Sequence, residues 1–166
     1  MYNNKETIRQ IIHLLQNQNN HLAFIKRTIR NYVNEGFNIN TKYLRGNTLA
    51  HYVVKYNVLG LLNFLAKLGL NLDICNDEYD SPIHLAVRHN QTALVKELVK
   101  AGANINQSCE LEETSLHIAV SESNYEMASL LLKLGIDKSL VDERNASALD
   151  YALDDRNAKM INILKK

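Results

Sequence analysis

Ser81-Pro82-Ile83-His84-Leu85-Ala86 is the stretch from which the whole chain can be read. A hydroxyl residue stands where a helix begins, able to accept one of the backbone N–H groups orphaned in the first turn. Proline follows at the first helical position, where its missing N–H costs nothing. The pattern then recurs every thirty-three residues: Thr48-Leu49-Ala50-His51-Tyr52-Val53 comes before it, and Thr114-Ser115-Leu116-His117-Ile118-Ala119 and Ser147-Ala148-Leu149-Asp150-Tyr151-Ala152 come after.

A second series keeps the same register. Gly36, Gly69, Gly102 and Gly135 share the spacing, and each follows a helical apolar run. Glycine just past a helix end takes the left-handed conformation cheaply. The period and the Thr/Ser-Pro-Ile/Leu-His-x-Ala pattern together resemble the ankyrin repeat over roughly residues 22–166. The resemblance implies an all-α repeat solenoid of stacked helix-turn-helix units joined by hairpin loops.

In that register the chain divides into a divergent N-terminal helical cap (1–42), three repeats (43–75, 76–108 and 109–141) and a truncated C-terminal capping repeat (142–166). The cap opens with a helix that Asn3 or Asn4 can cap, its apolar stripe running through Ile8, Ile11, Ile12, Leu14 and Leu15. A second helix follows from about Leu22 to Asn34. Second helices of the repeats are predicted near Val58–Leu68, Thr92–Ala101 and Tyr125–Leu134, which places Gly60 inside a helix. The left-handed hairpin position holds Gly46, then Tyr79, Glu112 and Asn145. Tyrosine and glutamate adopt that conformation poorly, so the hairpins of repeats two and three are expected to be distorted.

Apolar residues make up 46% of the chain, and no apolar run is long enough to span a bilayer. Met1 begins a polar segment, not a signal peptide. A soluble, cytoplasmic protein is expected, without membrane insertion and monomeric on its own. The richness in Asn, Ile and Lys suggests an AT-rich genome and, at this level, no mechanism. Cys75 and Cys109 fall in neighbouring hairpins, one position out of step. Helices of adjacent repeats stack about 8–10 Å apart, beyond the roughly 7 Å that a disulfide allows. Two free thiols are therefore expected, which suits a reducing cytosol.

His51, His84 and His117 form a row spaced by one repeat, roughly 10 Å apart by helix stacking and too far to share a metal ion. The resemblance assigns them to scaffold hydrogen bonds near the hairpins. No metal and no cofactor are expected. The sequence holds no nucleophile elbow, phosphate-binding glycine loop or His-Glu-x-x-His pair, so the chain is not read as an enzyme.

Charge is unevenly spread. Residues 1–60 hold eight Lys/Arg against two acids, and residues 61–166 hold eleven against sixteen. A mostly acidic array does not suit nucleic acid. Ankyrin arrays bind through the concave face of their first helices and through their hairpin tips. The resemblance therefore implies a partner-binding row of Lys55, Tyr56, Arg88, His89, Ser121, Glu122, Asp154 and Asp155, running from basic to acidic. It implies tips carrying Tyr43, Leu44, Arg45, Asp77, Glu78, Tyr79, Glu110 and Leu111, where aromatic and apolar anchors sit among charges. The expected function is non-catalytic binding of a protein partner, as an adaptor or as a secreted effector of an intracellular bacterium acting in the host cytosol. The alternatives are an inhibitor that occludes a specific enzyme such as a kinase, and the targeting domain of a larger protein.

Overall fold

The computed structural model describes residues 3–17, 21–109 and 111–165. Among these are ten α-helices: α1 (Asn4–Gln16), α2 (Leu22–Asn34), α3 (Leu49–Lys55), α4 (Leu62–Lys67), α5 (Pro82–Arg88), α6 (Thr92–Lys100), α7 (Ser115–Ser121), α8 (Tyr125–Lys133), α9 (Ala148–Asp154) and α10 (Ala158–Leu164). Helices α3, α5, α7 and α9 pack side by side in chain order as an inner row. Each is followed by an outer helix, with α4 against α6 and α8 against α10. Helix α1 closes the N-terminal end by packing on α2 and α3. The architecture is an all-α repeat solenoid.

The inner helices have seven residues each, too few to persist alone in water. Their stability comes from neighbours on both sides. In α3, Leu49, Ala50, His51, Tyr52, Val53 and Val54 are all buried, so apolar residues surround the helix instead of forming one stripe. The outer helices end in the predicted way: Gly69 turns left-handed at φ 90° while Leu70 N–H reaches back to the Leu65 carbonyl at 3.0 Å.

The repeated histidine ties the start of its inner helix to a carbonyl further along the chain, in the next repeat for His51 and His117 and in the loop leading to it for His84. His51 Nδ1 accepts from the Thr48 amide at 3.1 Å, while its Nε2–H donates to the Asp80 carbonyl at 3.0 Å. His84 does the same between the Ser81 amide and the Gln107 carbonyl, and His117 between the Thr114 amide and the Ala146 carbonyl. One neutral imidazole thus satisfies a helix N-terminus and a carbonyl of the following hairpin. Asp150, at the equivalent position, accepts from the Ser147 amide at 2.8 Å and hydroxyl at 2.6 Å.

Asparagine does have a mechanism here, contrary to the compositional reading. Side chains at equivalent loop positions bond both within a repeat and to its successor. Asn38 Oδ1 accepts from Asn40 N–H at 3.0 Å, and Asn40 Oδ1 in turn accepts from Asn71 N–H at 2.7 Å. The series continues through Asn71, Asp73, Asn104, Asn106 and Asp137. Short carbonyl-bearing side chains that fold back on nearby amides suit this task.

Three further expectations are corrected. Helix α4 starts only at Leu62, so Gly60 lies in the preceding loop at φ 81°, and Glu97 of α6 accepts from Gly60 and Leu62 N–H at 2.7 and 2.8 Å. A Cβ on Gly60 would stand 3.0 Å from the Leu22 side chain, which packs there. The hairpins of repeats two and three are not distorted. Tyr79 (φ 61°), Glu112 (φ 54°) and Asn145 (φ 59°) take the same left-handed turn as Gly46 (φ 68°) and bear its strain. The first hairpin is the one that differs, with Arg45 also left-handed at φ 58°.

Cys75 and Cys109 are not free thiols but a disulfide, with Cα atoms 6.1 Å apart. Helix spacing is the wrong ruler for them, because the hairpins pack backbone to backbone. Asp77 N–H, for example, bonds the Arg45 carbonyl of the neighbouring hairpin at 3.0 Å.

Burial, offset in part by the carbonyl each Nε2 meets, lowers the pKa of His51, His84 and His117 below the ordinary imidazole range. The unfolded chain therefore takes up protons that the folded chain refuses. Stability is full above about pH 6.5 and falls as pH drops below it. Thermal melts between pH 8 and 5 are expected to show a plateau followed by a decline, with the slope reduced in His51→Gln. A second decline below about pH 4 is expected from Asp142, whose carboxyl is pulled down to about 2 as bonds from Ala146, Tyr151 and Arg144 outweigh burial. Tyr79→Gly relieves a left-handed tyrosine and is expected to raise stability by about 1 kcal/mol. Gly46→Ala is expected to lower it, since its Cβ would collide with Asp77; urea titrations of the two variants check the contrast.

Candidate functional site

The inner row ends its helices on one side of the molecule, and there the N-terminal half forms an open groove of about 690 Å³. Tyr43, Leu44, Arg45, Lys55, Tyr56, Glu78 and His89 line it, all of them residues that the sequence singles out. The structure adds Ile12, Gln16, Asn47, Tyr52 and Leu85, with Asn76 and His51 beneath. Leu44 is the most exposed large apolar side chain of the described residues, at 66%.

Three tyrosines give the groove its character. The rings of Tyr43 and Tyr52 lie 6.4 Å apart and tilted, while Tyr52 and Tyr56 stack at the same centroid distance. Lys55 Nζ sits 5.8 Å from the Tyr56 ring, and Gln16 of α1 donates to the Tyr56 hydroxyl at 2.8 Å. Burial, with Tyr56 and Tyr43 adding smaller effects, pushes the Tyr52 hydroxyl up to about 12, so it stays protonated and able to donate. Rigid aromatic rings with polar tips are effective contact groups because few torsions are lost when a partner binds.

The charges are less free than the sequence gradient implies. Arg45 pairs with Glu78 of the next hairpin at 2.7 Å, so the two oppositely charged tips partly neutralise each other. Arg88 donates to Asp80 at 3.1 Å. Both pairs are at least partly solvent-exposed and contribute little net stability, but they neutralise one cation of the row, Arg88, and one of the tips, Arg45. Lys55 remains as a groove cation without an ion pair among the described residues, and the exposed His89 side chain lines the groove with it.

The other predicted residues are elsewhere. Arg88, Tyr79 and Leu111 meet at a small cleft of about 30 Å³ between the second and third hairpins. Tyr79 is 45% and Leu111 41% exposed. Asp77 is exposed and holds the first hairpin through its amide. Ser121 and Glu122 at the end of α7, and Asp154 and Asp155 at the end of α9, are exposed but line neither cavity. Glu110 lies outside the described residues. Tyr52 and Ile12 escape sequence reasoning because both occupy positions whose periodicity reads as core. Only the closure of α1 over α3 makes them walls.

Among the described residues, no three His, Cys, Asp or Glu side chains are placed to hold a metal ion. No helix among them is long and apolar enough to cross a membrane. A model of ankyrin repeats, in three copies, matches residues 12–109 and 83–166. No curated protein matches the sequence. The family match covers nearly the whole chain and coincides with the stacked helix pairs and their histidine bridges. The chain belongs to the ankyrin-repeat family.

Proposed function

We propose that this chain is a non-catalytic protein-binding module whose partner seats in the tyrosine groove and extends along the concave row and the hairpin tips. Ankyrin repeats are protein-interaction modules, and that much comes with the family. The observation that supports the location is the groove itself. It holds three tyrosines, an exposed leucine, the Lys55 ammonium without an ion pair and the His89 ring, with Ile12 and Leu85 also in its lining. Aromatic anchors at the centre and charge at the rim match what binding hot spots use. We take the array to divide as the register suggests, with 1–42 and 142–166 as caps, and the acidic end of the row (Glu122, Asp154, Asp155) to meet basic groups of the same partner.

An adaptor or an effector in a host cytosol would use this surface by holding its partner. An enzyme inhibitor would use it by covering an active site. Both readings share the groove and differ only in the partner's activity. The cytoplasmic placement belongs to the same proposal, although the Cys75–Cys109 bridge withdraws the support that two free thiols would have given it.

The decisive variant combines Lys55→Glu with His89→Glu, because both residues are exposed and neither forms an ion pair in the described structure. Reversing Arg88 would instead set a carboxylate against Asp80 and confuse binding with folding. Affinity capture followed by mass spectrometry is expected to recover a specific partner with the wild-type chain. The double variant should lose it by about tenfold or more at an unchanged melting temperature. Equal recovery by both proteins would remove the groove from the function. Loss of the partner's catalytic activity on adding the array would favour the inhibitor.

A further inference from the structure

Two hairpins are stapled from within by the side chain at the same turn position. Asn76 Oδ1 accepts from the amides of Glu78 and Asp80 at 2.9 and 3.0 Å. Asp142 Oδ1 accepts from those of Arg144 and Ala146 at 3.0 and 2.9 Å. The third hairpin has Cys109 at this position and no such staple. It is tied instead to Cys75 of the second hairpin, across a sequence separation of 34 residues. Its tip also holds Glu112 in the strained left-handed turn.

The surroundings of the bridge differ from those in other repeats. Thr48 and Thr114 set their hydroxyls 2.9 Å from Nδ1 of their histidines. Ser81, at the equivalent position, has a buried hydroxyl with no partner, and His84 Nδ1 lies 3.7 Å from Cys109 Sγ. Gln107 Nε2 lies 3.7 Å from Cys75 Sγ. Both cysteines are half-buried, and only Cys109 lines the small cleft of about 30 Å³ that Tyr79, Leu111, Glu113 and Arg88 enclose.

We propose that the Cys75–Cys109 bridge is a thiol–disulfide exchange site, entered at Cys109, which fixes or frees the tip of the third hairpin. A low-molecular-weight thiol supplies the electrons. Its thiolate attacks Cys109 Sγ, the Cys75–Cys109 bond breaks, and the electron pair leaves on Cys75 Sγ, which takes a proton beside the Gln107 amide. A second thiolate attacks the outer sulfur of the mixed disulfide. The small disulfide departs, and the Cys109 thiolate takes a proton and donates it as an S–H bond to His84 Nδ1. Two thiols are oxidised to one small disulfide, and the bridge gains two electrons and two protons. The third hairpin then loses its covalent tie to the second and keeps the Ser108–Thr114 backbone pair, the turn bond from Glu112 N–H to the Cys109 carbonyl and the bond from Glu143 N–H to the Leu111 carbonyl, so Leu111 is held less tightly against Tyr79. Only this consequence rests on the tips being partner surface; the exchange chemistry does not.

The test uses the full chain in buffers of reduced and oxidised glutathione, with acid quenching, mass spectrometry and hydrogen exchange. The bridge is expected to open in roughly millimolar reduced glutathione while the chain stays folded. Amides of Glu112 and Glu113 should then exchange about tenfold faster, with those of Thr114, Leu94, Leu98 and Leu131 unchanged. Cys75→Ser should capture glutathione on Cys109 at least about tenfold faster than Cys109→Ser captures it on Cys75. A bridge that survives until the chain unfolds, faster capture at Cys75, or exchange that rises uniformly would each overturn the proposal. Exchange as expected with equal partner capture in both redox states would overturn the link to binding and leave the exchange site standing.

Discussion

The neutral imidazole bridging two repeats is the interaction on which the stack depends. Each of His51, His84 and His117 takes a proton-poor nitrogen to the amide at the start of its own helix and a proton-bearing one to a carbonyl of the next hairpin. A buried amide or carbonyl left unpaired costs more than a made bond returns. At His51 and His117 the histidine therefore couples the folding of a seven-residue helix to the presence of the following repeat. No other side chain offers an acceptor and a donor on opposite edges of one flat ring without carrying charge. The same geometry makes the row unfit to bind metal, since every ring nitrogen is already engaged.

Around that constraint the chain adds two weaker series. The Asn and Asp side chains between repeats form a polar seam on the outer loops, and the left-handed turns set the hairpins in register. Eight non-glycine residues among those described hold positive φ, four of them at the hairpins and four at the turns between inner and outer helices. Such strain persists only where surrounding contacts fix it. At Asn57 and Asn90 the residue type eases the cost. At Tyr79 it does not, and a large exposed ring sits at a strained tip.

The groove follows from the way the stack is ended. Because α1 packs on α3, where a standard repeat would stand, Ile12 and Gln16 become one wall and turn Tyr52 and Tyr56 from a helix surface into the side of a cavity. Pairing within the array then edits the charge pattern. Arg45 and Arg88 spend their charge on Glu78 and Asp80, and Lys55 carries what is left of the basic end in the groove.

The sequence by itself determined the repeat. A helix start recognisable by hydroxyl, proline and histidine, and a helix end recognisable by glycine, are local signals, each with a local physical cause. Their common period of thirty-three left one architecture. It also placed Tyr43, Leu44, Lys55, Tyr56 and His89 on the side where they are found. Only the tertiary structure decided what lies between repeats. Whether two cysteines one position out of step can bond, whether Gly60 is in a helix, and whether Arg88 is a free charge all depend on distances across the stack. Those distances are set by backbone packing of hairpins and loops, and the spacing of residues along one chain carries no measure of them.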